Sequence, residues 1–356
     1  MLSRKDATLF TVTLAAAVVA GVLHFSGAAP IAQFVAAAVA LSLLALNVSS
    51  GTEQVGTHLG PGATGILQSA LGNLPELLVC AFSLRAGLVQ VVQAALIGSI
   101  LANSLLVLGI AILVGGIKHG RLHFDAEAPR IIASLMMLAV AALAIPTLAA
   151  ELHTPAATHE GALSAACAIL LLVVFCASLP FSLSSDPQKS VRHAEPKQVE
   201  DEGHWPLGMA VAVLIVASVG AALVSEWFVS ALEPAIEALH ISQAFAGIVV
   251  VAIAGNAVEN VAGIRLAAKN RPDYALSVIL NSSLLIALVV SPALVLLSFV
   301  LGGPVLTLVM PPLLIAALLL TTLTSAIIVN DGETIWLEGV ALIGLYCIIA
   351  AAFWWG

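Results

Sequence analysis

Gly72-Asn73-Leu74-Pro75-Glu76 lies inside a long apolar run, and 183 residues later another run carries Gly255-Asn256-Ala257-Val258-Glu259. At the same offset Ser99 is matched by Ser282 in the next apolar run of each half. Two matches at one offset, in separate runs, are far harder to obtain by chance than one short motif, and they mark an internal repeat. The runs themselves set the class. Of 356 residues, 61% are hydrophobic and 9% charged, against about 25% charged in a soluble domain. No soluble fold hides that much apolar surface. The runs reach about 20 residues or more, the length a helix needs to cross roughly 30 Å of hydrocarbon. The chain reads as an all-α membrane protein.

Hydropathy divides it into eleven transmembrane helices, near residues 6–27, 30–51, 60–86, 89–117, 129–150, 161–183, 206–228, 241–269, 274–302, 306–329 and 335–355. The first run follows Arg4 and Lys5 and shows no small-residue cleavage site, so it is read as a retained helix rather than a signal peptide. Between spans, only Ser184 to Trp205 is long and polar, with Pro187, Pro196 and Glu200-Asp201-Glu202. The expected organisation is an N-terminal transmembrane helix at 1–29, a first five-helix repeat at 30–183, a solvated cytoplasmic linker at 184–205 and a second five-helix repeat at 206–356. With the N-terminus cytoplasmic and the C-terminus external, all 12 Lys and Arg except Arg85 fall inside, as the positive-inside rule requires. A repeat of five helices re-enters the membrane from the opposite side in its second copy. The two repeats are therefore inverted, a plan that places binding near the midplane where they meet.

Glu76 lies nine residues before Arg85, at the end of its span, which is roughly 13–14 Å along a helix. Glu259 lies ten residues before Lys269, roughly 15 Å. Each is thus near mid-membrane, where a lone carboxylate costs about 2.5–3.5 kcal/mol on insertion scales. No Lys or Arg lies deep in a span to pair with them. A proton or a metal ion is left. Two facing carboxylates carry the charge that matches one divalent cation. Calcium accepts about six to eight oxygens in irregular geometry, whereas magnesium keeps its water and demands an octahedron. Supporting oxygens are available from Asn73, Asn256, Ser99, Ser282, Asn103, Asn281 and Ser283, with Gly72 and Gly255 opening the two motifs. Pro75 has no N–H and releases the carbonyl of Leu71. Once the cation leaves, two carboxylates in low dielectric repel one another and capture protons. Competition for the same oxygens is then enough for cation/proton exchange. The plainer readings are buried structural acids, and amides or serines that only join helices.

Other classes fare worse. Cys80, Cys167, Cys176 and Cys347 sit in apolar runs without ligand spacing and read as small core residues. A membrane-embedded enzyme would show His-Glu-x-x-His, paired aspartates or a serine/lysine dyad in its spans, and none is present. A passive cation channel would need a continuous polar lining, which most of these spans lack.

In these residues the chain resembles the cation/proton exchanger (CAX-type, Ca2+/H+ antiporter) family of the calcium/cation antiporter superfamily, from about Ser49 onward. The resemblance rests on Gly72–Glu76 with Leu77-Leu78, on Leu84-Arg85-Ala86-Gly87, and on Gly98-Ser99-Ile100-Leu101-Ala102-Asn103 leading to Leu108-Gly109. In the second half it rests on Glu233-Pro234-Ala235, Gly255–Glu259, Ser282-Ser283-Leu284, and Asp331-Gly332-Glu333 before Trp336-Leu337-Glu338-Gly339. It implies a secondary active antiporter that exports Ca2+ in exchange for H+ by alternating access, with Glu76 and Glu259 as ion and proton carriers. Its partners would be Ca2+, H+ and the lipid bilayer, with a homo-oligomer permitted and no nucleic acid. No cofactor is implied beyond the transported Ca2+. Relatives often place His after the second motif glutamate, where Asn260 stands, and Gly-Ser-Ser-x-Gln where Asn281-Ser282-Ser283-Leu284-Leu285 stands. Those departures bear on cation preference and proton coupling. A sodium or potassium/proton exchanger of the same architecture is the nearest rival. Sodium-coupled relatives carry denser polar ligands, and here Ile286 lies four residues after Ser282 where Asn103 lies four after Ser99. The short N-terminus lacks the hydrophilic extension common in plant members, which favours a prokaryotic plasma (inner) membrane.

Overall fold

Within hydrocarbon a backbone can satisfy its own N–H and C=O groups only as a helix or a closed barrel, and the described residues are mostly helical. A computed structural model describes residues 4–59, 67, 71–184 and 205–355; the side chains of residues 4–5, 180–184 and 257–259 lie outside that description. The helices are α1 (Arg4–Phe25), α2 (Pro30–Leu59), α3 (Leu74–Arg85), α4 (Val89–His119), α5 (Glu127–Glu151), α6 (Glu160–Ser184) and α7 (Leu207–Leu239). They continue with α8 (Gln243–Gly255), α9 (Ala257–Ala268), α10 (Pro272–Ser298), α11 (Pro312–Ile328) and α12 (Trp336–Ala352). Two short strands, β1 (Leu122–His123) and β2 (Glu333–Thr334), pair antiparallel.

Among the described residues, seven helices are long and apolar enough to cross a membrane, and the bent pair α8–α9 makes an eighth. The protein is a multi-pass integral membrane protein. Of the eleven expected spans, the third is represented by the twelve residues of α3, and the last two by α11 and α12, 17 residues each. The expected linker falls outside the described residues except at its ends. Its last residue, Trp205, is buried rather than solvated. Its ring packs at a tilt against Phe10, its backbone N–H donates to Gln54 Oε1 at 3.1 Å, and its carbonyl lies 2.8 Å from His58 Nε2. An indole, apolar in body with a polar N–H at its edge, suits such a buried, hydrogen-bonded position.

The helices form two compact units, residues 1–79 with 172–235, and residues 80–171 with 236–356. Both draw on both halves of the sequence, so packing does not follow chain order. In the first unit, Gly51 of α2 lets α7 approach, an added Cβ there meeting the Leu214 backbone at 3.2 Å. Phe34 stacks on Phe228, and Asn47 donates to Thr13 Oγ1 at 2.7 Å. In the second unit, α4 and α10 form the centre, with 72% of the most apolar stretch of each buried, against 17% for α1 of the first unit. The rest of α1 faces outward with Leu14, Val18 and Val22 exposed, as a lipid-facing helix should. Helices α4 and α8 cross where Gly98 and Gly247 stand. A Cβ at Gly98 would lie 2.4 Å from Ile248 Cα, and one at Gly247 2.6 Å from Ala94 Cβ. Small residues at a crossing are how membrane helices gain close contact without a hydrophobic driving force.

Two further features shape the second unit. Its α4, α8 and α10 widen into π turns at Ala102–Val107, Ala246–Val251 and Ile286–Val290. At one end an extended stretch before α11 is buried, and polar side chains satisfy its backbone. Gln93 Nε2 donates to the carbonyls of Thr307 and Val309, Thr147 Oγ1 donates to Leu308 O, and Ser164 Oγ accepts from Leu308 N. Non-helical backbone at such depth is stable only with partners of this kind. Elsewhere in the unit the β1–β2 ribbon, an Arg121–Glu333 ion pair and Arg130 on the Asn330 carbonyl hold the loops together.

The cysteines divide. Cys80 and Cys167 are buried as expected, but Cys176 and Cys347 are exposed on α6 and α12. Hydrocarbon accepts a thiol as readily as a core does, so an apolar run cannot say which way its cysteine faces.

Candidate functional site

Helix α8 ends at Gly255 because Asn256 takes φ −103° and ψ 20°, in the sparsely populated bridge region where many active-site residues sit. Helix α9 restarts at Ala257, inclined at 64° to α8. The Asn256 amide turns back to donate to Ala252 O at 2.9 Å, and its Oδ1 is left for neighbours. Asn103, on the π turn of α4, donates to that Oδ1 at 3.2 Å and to Ser282 Oγ of α10 at 3.0 Å. Ser282 Oγ in turn lies 3.5 Å from Asn256 Oδ1. Three elements thus converge on a triangle of two amides and a hydroxyl. One residue further along both helices, Ser104 Oγ and Ser283 Oγ stand 2.9 Å apart. All five side chains are buried, and so is Ser99 one turn earlier on α4.

The cluster is only partly satisfied. Asn103 Oδ1 is buried and has no hydrogen-bond partner among the described residues, and Asn260 Oδ1, one turn into α9, is in the same condition. An unpartnered buried carbonyl oxygen costs about 1–3 kcal/mol. A hard cation, which binds amide and hydroxyl oxygens, removes that cost.

In the first unit, Gly72 and Asn73 form a turn and α3 begins at Leu74; the Asn73 carbonyl accepts from Leu77 N at 3.0 Å, and Asn73 is buried. Glu76 is the third residue of α3 and is buried. Glu259 is likewise third in α9, and its side chain lies outside the described residues. Both motif glutamates therefore stand in a first turn, where free N–H groups and the helix dipole favour an acidic residue.

The sequence-derived set is not all in one place. Asn281 is exposed and donates to Ser277 Oγ at 3.3 Å. A helix turns about 100° per residue, so the neighbour of Ser282 faces elsewhere. Gly255 closes α8 and contributes its backbone position only. Sequence reasoning passed over Ser104, whose signal was a hydroxyl beside Asn103 in an otherwise apolar run. Among the described residues, no group of three or more His, Cys, Asp or Glu could hold a metal. The oxygens gathered in the second unit are neutral.

Comparison with known proteins gives one answer at several levels. The family model described as sodium/calcium exchanger protein matches residues 29–184 and 209–355. The Ca(2+)/H(+) antiporter of Synechocystis sp. is 34% identical over 347 residues, covering 93% of this chain and 92% of that protein. The Ca(2+)/H(+) antiporter ChaA of Bacillus subtilis is 32% identical over 345 residues, covering 94% and 95%. Among solved structures, native YfkE superposes with a TM-score of 0.82 at 28% identity, covering 97% of this chain and 99% of that one. The H+/Ca2+ exchanger CAX superposes at 0.75 with 14% identity, a likeness of fold. Broken motif helices, a buried amide cluster and matches along nearly the whole chain agree: this protein belongs to the sodium/calcium exchanger protein family, with calcium/proton antiporters among its relatives.

Proposed function

We propose that the protein is a secondary active antiporter that exports Ca2+ from the cytoplasm in exchange for H+ by alternating access. Its eleven spans comprise an N-terminal helix and two inverted five-helix repeats, with the N-terminus cytoplasmic and the C-terminus external. The observation that carries this reading is the buried Asn103–Asn256–Ser282 triangle, with uncompensated amide oxygens on Asn103 and Asn260. It lies beside the break that starts the helix of Glu259. The names of the relatives, Ca(2+)/H(+) antiporters, support calcium and protons as the exchanged ions.

In this mechanism Glu76 and Glu259 bind Ca2+ as carboxylates and carry protons when it has left, while Asn73, Asn256, Ser99, Ser282, Asn103 and Ser283 supply neutral oxygens or position those that do. Two protons per calcium leave the cycle electroneutral. Each pH unit then supplies about 2.7 kcal/mol for the pair, at 1.36 kcal/mol per proton, which sustains roughly a hundredfold calcium gradient. The test is pH-driven uptake of radioactive calcium into proteoliposomes, with sodium and potassium as competitors. Glu76→Gln and Glu259→Gln should each abolish flux while the protein still inserts and remains monodisperse. Near wild-type flux in either variant would remove the two-carboxylate mechanism, and a sodium- or potassium-driven cycle would transfer the assignment to the monovalent exchanger.

A further inference from the structure

The second unit contains a small cavity between α4, α5, α10 and α11, with about 10 Å³ of room for the centre of a water molecule. That is about the space one water requires. Three hydroxyls line it, those of Ser104, Thr322 and Ser325, against apolar walls that include Met136 and Leu280. Thr322 Oγ1 donates to Leu318 O at 2.9 Å and Ser325 Oγ to Thr322 O at 3.2 Å. Their protons are engaged on their own helix, so both present lone pairs to the cavity. Ser104 Oγ is shared with Ser283 Oγ at 2.9 Å, and Ser283 Oγ reaches Ile279 O at 3.5 Å. A water there would find the two to four polar partners that hold buried water.

The cavity's position gives these hydroxyls a use. At its inner end Ser104 and Ser283 are chain neighbours of Asn103 and Ser282, the amide–hydroxyl cluster. Toward the other end the cavity is lined by Val329, which is buried, and the next residue, Asn330, is exposed and held by Arg130. The path from Ser325 inward thus begins about one helical turn beneath the surface that carries Arg121 and Arg130. Packing alone would be served by alanine or leucine at these positions. A hydroxyl can pass a proton by accepting one and donating another, and it offers too few oxygens to strip the water from a divalent cation.

We propose that Ser325, Thr322, one water and the Ser104–Ser283 pair form a proton path from the loop end of the second unit to the buried cluster, meeting the route of the cation only at Ser283. The inference rests on the exchange reading above. The proton that leaves a protonated carrier moves through the hydroxyl pair to the water and on to bulk solvent when Val329 swings aside. No bond other than O–H bonds is made or broken.

The experiment separates proton-driven from proton-independent transport in one proteoliposome preparation. Calcium/proton exchange is measured as calcium uptake driven by a pH gradient, and calcium/calcium self-exchange as isotope equilibration at equal pH. Thr322→Val and Ser325→Ala should slow the first by about tenfold, equivalent to about 1.36 kcal/mol in barrier, and leave self-exchange at the wild-type rate. Thr322→Ser, which keeps the hydroxyl, should restore the first. A parallel fall of both fluxes in Thr322→Val and Ser325→Ala would assign the hydroxyls to packing or to the cation site and overturn the path. Two unchanged fluxes would overturn it as well. A wild-type protein with self-exchange and no pH-driven flux would remove the proton coupling itself, a separate outcome read before any variant is made.

Discussion

Helices α4 and α10 begin 183 residues apart, at Val89 and Pro272, and each widens into a π turn at nearly the same register, Ala102–Val107 and Ile286–Val290. The preceding helices, α3 and α9, are both twelve residues long and are offset by the same amount. Even the corners between them correspond. Gly87 at φ 83° and Asn270 at φ 57° are the left-handed residues, followed by Leu88 N donating to Ser83 O at 2.9 Å and Arg271 N to Leu266 O at 3.0 Å. The side chains do not correspond in the same way. Where α4 has Asn103, fully buried and bonded to Asn256 and Ser282, α10 has Ile286, fully buried in apolar surroundings. Where α4 has Gly98 against Ile248, α10 has Asn281, exposed. Duplicated backbone thus carries unequal chemistry: one copy provides the long polar arm and the close crossing, and the other receives them.

The sharpest way to break that comparison is to exchange the unequal residues. Asn103→Ile removes both amide bonds at once and leaves Asn256 Oδ1 and Ser282 Oγ under-satisfied. Calcium flux should fall by about 10–100-fold, the usual effect of removing a group that orients ligands. Ile286→Asn alone should give no gain in flux and lower stability by about 1–3 kcal/mol, because the partners that Asn103 uses do not surround position 286 and the new amide is buried unpaired. The double variant should remain as impaired as Asn103→Ile. Recovery in the double variant, measured as pH-driven calcium uptake, would mean that the copies are interchangeable after all.

Polar residues stand out in an apolar run because each is costly there, and that made the Gly-Asn-x-x-Glu motifs, Ser99, Ser282 and Asn103 readable without a structure. The breaks at Gly72–Asn73 and Asn256 were half legible, from glycine, asparagine and Pro75 where helix should have continued. The π turns were not. Ala102–Val107 and Ile286–Val290 contain ordinary helix formers, and an extra residue per turn comes from how neighbouring helices seat rather than from local preference. That shift helps Asn103 and Ser104 both to meet α10, and it accounts for Ser104 having been passed over. Asn281 stands beside Ser282 and Ser283 in sequence, though adjacent helical residues face different ways. In sequence Trp205 reads as the end of a solvated linker because prolines and acids precede it; its hydrogen-bond partners, Asp6, Gln54 and His58, lie on α1 and α2, about 150 to 200 positions away.

The crossing at Gly98 sharpens the comparison in terms of stability. Gly98→Ala places a Cβ 2.4 Å from Ile248 Cα, which is backbone and cannot swing aside. Helices α4 and α8 must separate, and the expected loss is about 1–3 kcal/mol, the range for overpacking. At the equivalent place on α10, Asn281→Ala should cost within about 0.5 kcal/mol, as for an exposed site away from special features. Thermal unfolding in detergent compares the two. Equal losses would show that the second copy also depends on a close approach at this position.

The smallest expected effect concerns the corners, where the two copies reach the same backbone with different residues. Gly87 and Asn270 are both left-handed, and a Cβ at Gly87 would meet nothing within 4 Å. Any cost of a side chain there is therefore conformational. Most residues pay about 1–2 kcal/mol in this region because Cβ crowds the following carbonyl, whereas asparagine visits it more readily through local hydrogen bonds. Gly87→Ala should lower stability by about that amount, and Gly87→Asn, which copies the second corner into the first, by less than half of it. In the opposite direction, Asn270→Gly relieves the folded corner but adds freedom to the unfolded chain, so the two terms largely offset and the melting temperature should barely move. If alanine and asparagine at position 87 proved equally costly, the cost would lie in contacts rather than in φ, and the likeness of the two corners would be one of shape without a shared cause.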